Sequence, residues 1–237
     1  GVGGGIVWDS IAGQELSECL TKAEVLNTSR PRFDILETLL WTEEDGFYLL
    51  DRHIERARAS AHYFGYVFDE AAMIEQLTEA VGAFPGDRGR VRWLLFPEGT
   101  SRCEVIPLPV RADSAVRVRI APHACKSSDV FLYHKTTNRA VYARAKEMRP
   151  DCDDVLLVNE RGEVTESTIA NVVAEVDGEL ITPPIASGLL AGTFRGELLE
   201  LGEIREGRLT PDMLASADAL FLINSVRKWM PVTLVTG

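Results

Sequence analysis

Asn159-Glu-Arg-Gly-Glu-Val-Thr-Glu166-Ser-Thr-Ile-Ala-Asn171 decides how this chain is read. The triplet Glu160-Arg161-Gly162 is a turn, flanked by apolar strand patterns at Asp154 to Asn159 and Glu163 to Thr165. Glu166 therefore stands at the end of a short strand, in a run of small hydroxyl and amide residues. Beyond it, strands at Asn171 to Val176 and Glu179 to Thr182 flank the turn Asp177-Gly178. A Pro- and Gly-rich loop, Pro183 to Gly192, opens a helix over Thr193 to Leu201. A short helix at Asp212 to Ser216 and a buried strand at Ala219 to Asn224 complete a β-rich C-terminal half.

Working outward toward the N-terminus, the polar loop Lys126 to Asp129 leads into His134-Lys-Thr-Thr-Asn-Arg139. A helix through Tyr142 and Ala145 follows and ends before Pro150, so Lys135 is expected between a strand and a helix start. Further upstream, Phe33 to Trp41 reads as a strand, Asp45-Gly46 as a hairpin turn and Phe47 to Leu50 as the returning strand. Asp51 is the expected cap of a helix through Ile54, Ala57, Ala61 and Phe64, with Gly65 at its end. A second helix covers Asp69 to Phe84, and strands follow at Arg90 to Phe96, Ser101 to Pro107 and Val116 to Ala121. The expected class is α+β, with a small N-terminal α/β lobe over 31–124 and a larger β-rich lobe over 125–237. Residues 1–30 form a separate opening: a glycine-rich start, a helix over Gln14 to Leu26 and the linker Asn27-Thr-Ser-Arg-Pro31.

Composition narrows the function. The chain has 237 residues, 46% hydrophobic and 26% charged, with a formal net charge of -11. That excess of acid argues against sequence-independent nucleic-acid binding, which needs a basic face, but leaves room for an anionic small molecule in a locally basic pocket. No apolar run is long enough to span a bilayer, and no signal pattern precedes the first helix, so a cytoplasmic protein is expected. Cys19, Cys103, Cys125 and Cys152 form no CxxC pair, and free thiols are expected with no metal site.

Lys135 alone reads as a solvated charge, and Glu166 alone as an acid near a turn. A carboxylate placed like Glu166 also suits the task of pinning a pyridine nitrogen. Six segments in order decide between these readings. They are Phe33-Asp-Ile-Leu-Glu-Thr-Leu39, His53-Ile-Glu-Arg56, the Lys135 segment, Asn159 to Glu166 with Ala170-Asn171, Thr182-Pro-Pro184 with Gly188-Leu-Leu-Ala-Gly192 and Arg195, and Asn224-Ser225-Val-Arg227. From Arg32 to Val232 the chain resembles the class-IV pyridoxal-phosphate enzymes of fold type IV, which include branched-chain and D-amino acid aminotransferases and aminodeoxychorismate lyases.

The resemblance implies pyridoxal 5'-phosphate as cofactor, with Lys135 as its Schiff-base lysine and proton shuttle and Glu166 facing the pyridine nitrogen. It implies that Arg56 grips the phosphate, that Gly192, Thr193 and Phe194 form one phosphate-binding turn, and that Ser225 and Val226 form a second. Thr38 is carried over as a catalytic candidate, and Arg139 and Arg227 as candidates for the substrate carboxylates. His53 is expected to orient the helix-strand junction. A homodimer with active sites near its interface is the implied assembly. The family usually begins with a strand and an Asn-Gly turn, a place taken here by the glycine-rich segment and linker.

That opening, Gly1-Val-Gly-Gly-Gly-Ile-Val-Trp-Asp-Ser10 followed by Glu15, Glu18 and Lys22, resembles the end of aminodeoxychorismate and anthranilate synthases. Glu18 and Lys22 lie one turn apart, as in that family's site and equally as in an ordinary ion pair. The remaining walls of a synthase site are missing, so the expectation is a remnant of a synthase fused to its lyase. The implied reaction is then conversion of 4-amino-4-deoxychorismate to 4-aminobenzoate and pyruvate, on the route to folate. An aminotransferase for D-amino or branched-chain amino acids is the rival, and a non-catalytic chorismate-enzyme domain a more distant one.

Overall fold

The computed structural model describes residues 31–109 and 114–235. The expected helix over Gln14 to Leu26, with Glu18, Lys22 and Cys19, lies outside the described residues. All elements below belong to the unit Phe33–Gly237.

Two sheets are built in succession. In the first, β1 (Ile35–Thr42) lies between β2 (Gly46–Phe47) and β3 (Arg88–Leu95), and β4 (Ser101–Pro107) pairs with the far edge of β3. All these pairings are antiparallel. The helices α1 (Leu50–Phe64) and α2 (Glu70–Gly82) cover one face, where Ile35, Leu39, Val91 and Trp93 pack on Ile54, Ala57, Met73 and Leu77. The period-2 pattern of β3 explains the other face. Val91, Trp93 and Leu95 point to the helices, so Arg90 and Arg92 emerge opposite.

In the second sheet, β5 (Val116–Ile120), β6 (Asp154–Val158), β7 (Val164–Ser167), β8 (Asn171–Val176), β9 (Glu179–Thr182), β10 (Arg205–Glu206), β11 (Ala219–Asn224) and β12 (Lys228–Leu234) follow the order β10-β9-β8-β11-β12-β5-β6-β7. An additional β7–β8 pairing closes six of these strands into a ring. That closure rests on one residue pair, Glu166 opposite Asn171. Val118, Leu156, Val172, Ala174, Leu222 and Met230 belong to the apolar core of this part. Three short helices, α3 (Ala140–Glu147), α4 (Thr193–Glu200) and α5 (Pro211–Ser216), belong to the same half. Among the described residues no helix is long and apolar enough to cross a membrane.

Most boundaries expected from sequence fall within two residues of the observed ones. The differences have physical causes. The strand returning from Asp45-Gly46 stops at Phe47, because Tyr48 and Leu49 turn away to pack beside Phe194 and Trp229. Leu49, left-handed at φ 56, occupies the N-cap position, and Asp51 sits in the first turn without a capping bond. Asp69 does cap its helix, accepting from the Ala72 amide, and Gly65 ends α1 at φ 74. Val116–Ile120, read from sequence with the small lobe, hydrogen-bonds between β12 and β6 and so belongs to the larger sheet. β12 is an addition to the elements expected from sequence, with Pro231 opposite Phe221 in the β11–β12 ladder.

Candidate active site

A cavity of about 580 Å³ opens where the two sheets meet. Leu36 and Thr38 of β1 and Arg90 and Arg92 of β3 line one side; Glu166, Asn171 and Ile223 line the other. The β1–β3 register sets Thr38 directly opposite Arg92.

Lys135 lines this cavity. The strand expected before it is absent; a single 3-10 turn, Val130–Leu132, precedes it. Its backbone is instead fixed by β1: Leu36 N–H donates to the Lys135 carbonyl (2.9 Å), Thr137 N–H donates to Asp34 O (2.9 Å), and Asp34 N–H donates to Thr137 Oγ1 (2.8 Å). Thr136 thereby bridges to Ile35 and is buried, while the neighbouring Lys135 side chain lines the cavity. Burial, reinforced by the Arg56 and Arg139 charges, lowers its amine to about 8, against the pull of Glu37 and Glu166. A fraction of the amine is therefore unprotonated at neutral pH.

Glu166, 4% exposed, is held by three donors. Tyr142 Oη–H (2.7 Å) and the Leu190 amide (3.2 Å) both donate to Oε1, and Asn171 Nδ2 makes a longer contact with Oε2 (3.4 Å). Burial raises its carboxyl to about 7, although the Tyr142 bond, the Leu190 amide and the charges of Lys135 and Arg139 all oppose the rise. With Oε1 saturated by donors, Oε2 is the oxygen left to carry a proton. The arrangement unites a poised amine and a poised acid in one cavity, the pairing expected where a proton is moved.

Around them stand the groups that meet anions. Arg56, on α1, donates from Nε and Nη2 to the two oxygens of Glu37 (2.9 and 2.6 Å) and from Nη1 to Ala191 O (3.2 Å). Gly192 is the N-cap of α4 and Thr193 its first residue, and both line the cavity. The first-turn amides of a helix have no intrahelical partner and favour negative charge. A side chain at Gly192 would collide with Asn171 Oδ1, so the loop can approach this closely only with glycine.

Two expected contributors behave differently. Phe194 does not line the cavity, because its ring is packed in the core with Val173, Leu198 and Ile223, leaving its amide as its means of reaching an anion. Val226 lines it, but its amide donates to Asn224 Oδ1 (3.0 Å) and its side chain packs on Leu40 and Leu108. Ser225, with its Oγ 3.5 Å from Thr38 O, supplies the hydroxyl of that turn. Arg139 lines the cavity, donates to Thr168 O, and lies over the Tyr142 ring (4.6 Å). Arg227 does so too and donates to Pro109 O (2.7 Å). Reasoning from sequence missed Tyr142, Arg90 and Arg92. The two arginines had a readable signal, since their spacing in an alternating strand puts both on one face.

Comparison with known proteins agrees with this architecture. The model of the family described as "Amino-transferase class IV" matches residues 34–235. A Schizosaccharomyces pombe protein named "Putative aminodeoxychorismate lyase" is 36% identical over 205 residues, 82% of this chain and 87% of the relative. A Thermotoga maritima protein named "Probable branched-chain-amino-acid aminotransferase" is 32% identical over 194 residues, 76% of this chain and 70% of the relative. Among solved structures, a Mesorhizobium loti protein described as a "Putative amino-acid aminotransferase" superposes with a TM-score of 0.81 at 37% identity, covering 86% of this chain and all of the other. A half-buried lysine and a buried acid face one cavity at the junction of the sheets, and the family match spans nearly the whole described chain: the protein belongs to the class IV aminotransferases, a pyridoxal-phosphate-dependent family.

Proposed function

We propose that this chain is a 4-amino-4-deoxychorismate lyase that uses pyridoxal 5'-phosphate to form 4-aminobenzoate and pyruvate. The residues fit that cofactor. Lys135 offers an amine on the cavity wall, Glu166 offers an acid for the pyridine nitrogen, and Arg56 with the first-turn amides of α4, that of Thr193 included, offers an anion seat for the phosphate. When bound, the cofactor supplies an electron sink for the bond broken at the amine-bearing carbon.

The observation that carries the lyase reading is the charge of the cavity. Arg56, Arg90, Arg92, Arg139 and Arg227 line it with Lys135, against Glu166 alone, in a chain of formal charge -11. Arg90 and Arg92 form no ion pair among the described residues. One such group suffices for a phosphate and another for an amino-acid carboxylate. The surplus suits a substrate with two carboxylates, one on the ring and one on the enolpyruvyl ether.

Lys135, partly unprotonated, would take the proton from the amine-bearing ring carbon. The bond between the adjacent ring carbon and the ether oxygen would then break, making the ring aromatic, and the enolpyruvate that leaves with that oxygen would gain a proton on carbon to become pyruvate. Thr38 stands opposite Arg92 at the cavity wall, where its hydroxyl can orient the ether. The relative from Schizosaccharomyces pombe supports this reading by name. The names of the Thermotoga and Mesorhizobium proteins favour transamination as a second reading. One assay separates them: pyruvate release from aminodeoxychorismate supports the lyase, and keto-acid formation from an amino donor without that release overturns it.

A further inference from the structure

Behind the cavity wall, on the helix-facing side of β1, lies a fully buried charged group that no step above uses. Glu37 and His53 are each 0% exposed. Glu37 Oε1 accepts from Arg56 Nε (2.9 Å), and Oε2 accepts from both Arg56 Nη2 (2.6 Å) and His53 Nδ1 (2.7 Å). The other ring nitrogen, His53 Nε2, lies 3.2 Å from Thr193 Oγ1. One carboxylate thus reaches, directly or through a single ring, two residues that line the cavity at the α4 terminus.

We propose that Glu37 is a positioning residue for the anion end of the site: it aligns Arg56 by a two-point contact and, through His53, tethers Thr193 at the first turn of α4. This rests on the reading that a phosphate group is bound there.

The hydrogen-bond roles follow from charge. Burial works against an ionised Glu37, but Arg56 and His53 outweigh it and hold the carboxyl down at about 2. Glu37 is therefore a pure acceptor, and His53 carries its proton on Nδ1. Burial also lowers His53, so the ring is neutral and Nε2 is a lone pair. Thr193 donates its hydroxyl proton to that lone pair, which fixes its side chain. Of the five N–H donors of Arg56, three are engaged by Glu37 and Ala191, leaving two for the cavity. A guanidinium clamped along one edge presents the other edge in a single orientation, the condition for planar recognition of an anion.

Coulomb attraction and positioning make opposite predictions. Glu37 partly cancels the Arg56 charge, so by electrostatics alone Glu37→Gln makes the site more positive and tightens anion binding. If Glu37 acts by positioning, the same change loosens it.

The test measures affinities of the cofactor-free full chain and of Glu37→Gln for pyridoxal phosphate, pyridoxal and inorganic phosphate. The expected result is a loss of roughly 10- to 100-fold for pyridoxal phosphate, the size seen when the residue that orients a metal ligand is removed. Pyridoxal affinity stays the same and phosphate affinity falls in parallel. His53→Gln, which keeps the Arg56 contact and breaks the tether to Thr193, shows a smaller loss of the same kind, and it carries the test if Glu37→Gln does not fold. An unchanged or increased preference for pyridoxal phosphate over pyridoxal in both variants overturns the inference while leaving the cofactor assignment intact. A wild-type protein that prefers neither the phosphate ester nor inorganic phosphate overturns both.

Discussion

Replacing Lys135 should make the protein without bound cofactor more stable. Lys135→Met keeps most of the stem and removes the amine. In the folded chain that amine releases its proton near 8 rather than 10.5, chiefly through burial, with Arg56 and Arg139 adding to the effect. At ~1.4 kcal/mol per tenfold change in acidity, the charged lysine costs the fold at most about 3 kcal/mol at pH 7. The side chain is half-buried and opens onto a cavity wide enough for water, which offsets part of that cost. A gain of about 1–2 kcal/mol is therefore expected. The sign in pH follows. Between 8 and 10.5 the unfolded chain binds more protons than the folded one, so wild-type stability rises with pH and the advantage of Lys135→Met fades, vanishing above 10.5. Urea unfolding of both cofactor-free proteins at pH 7 and pH 10 measures this directly. A variant less stable than wild type at pH 7, or a difference independent of pH, would refute the desolvation argument.

Three further outcomes follow from the same site. Glu166→Gln should abolish turnover and flatten the pH dependence of stability: a carboxyl raised to about 7 favours the fold below 4.5 and loses that contribution as pH rises through 7, so the variant is the more stable protein at pH 8, by a denaturant titration at each pH. Gly192→Ala, at an ordinary φ of -63, should cost about 2–3 kcal/mol by displacing Asn171 from its bonds to Leu190 O and Glu166; adding Asn171→Ala should relieve part of that cost, and strict additivity in the double-mutant cycle would rule out the collision. Arg92→Leu should raise KM for a dicarboxylate substrate by roughly 10- to 100-fold with a smaller change in kcat, read from initial rates.

Much of this site was legible because the motifs are local. Lys135, Glu166, Arg56, Gly192 and Thr193 were named from short segments, and all five line one cavity. What escaped sequence reading is non-local. Tyr142 looked like a core residue of a helix, and only the approach of β7 to α3 makes it a partner of Glu166. Val226 and Phe194 were named by position in a motif; their differing contributions depend on an Asn224 side chain and a distant aromatic cluster. The turn at Tyr48 and Leu49 likewise follows from packing against residues far along the chain, which outweighs the local strand pattern.

The ring of strands closes through one residue pair, and one member of that pair is Glu166. That pair is the mouth of a tight turn: β7 and β8 are consecutive in the chain, and Ser167 N–H donates to Ala170 O (2.8 Å) inside it. Both residues of the pair line the cavity, so a ligand held there would brace the turn from inside, and slower amide exchange in β7 and β8 on adding it is the expected readout.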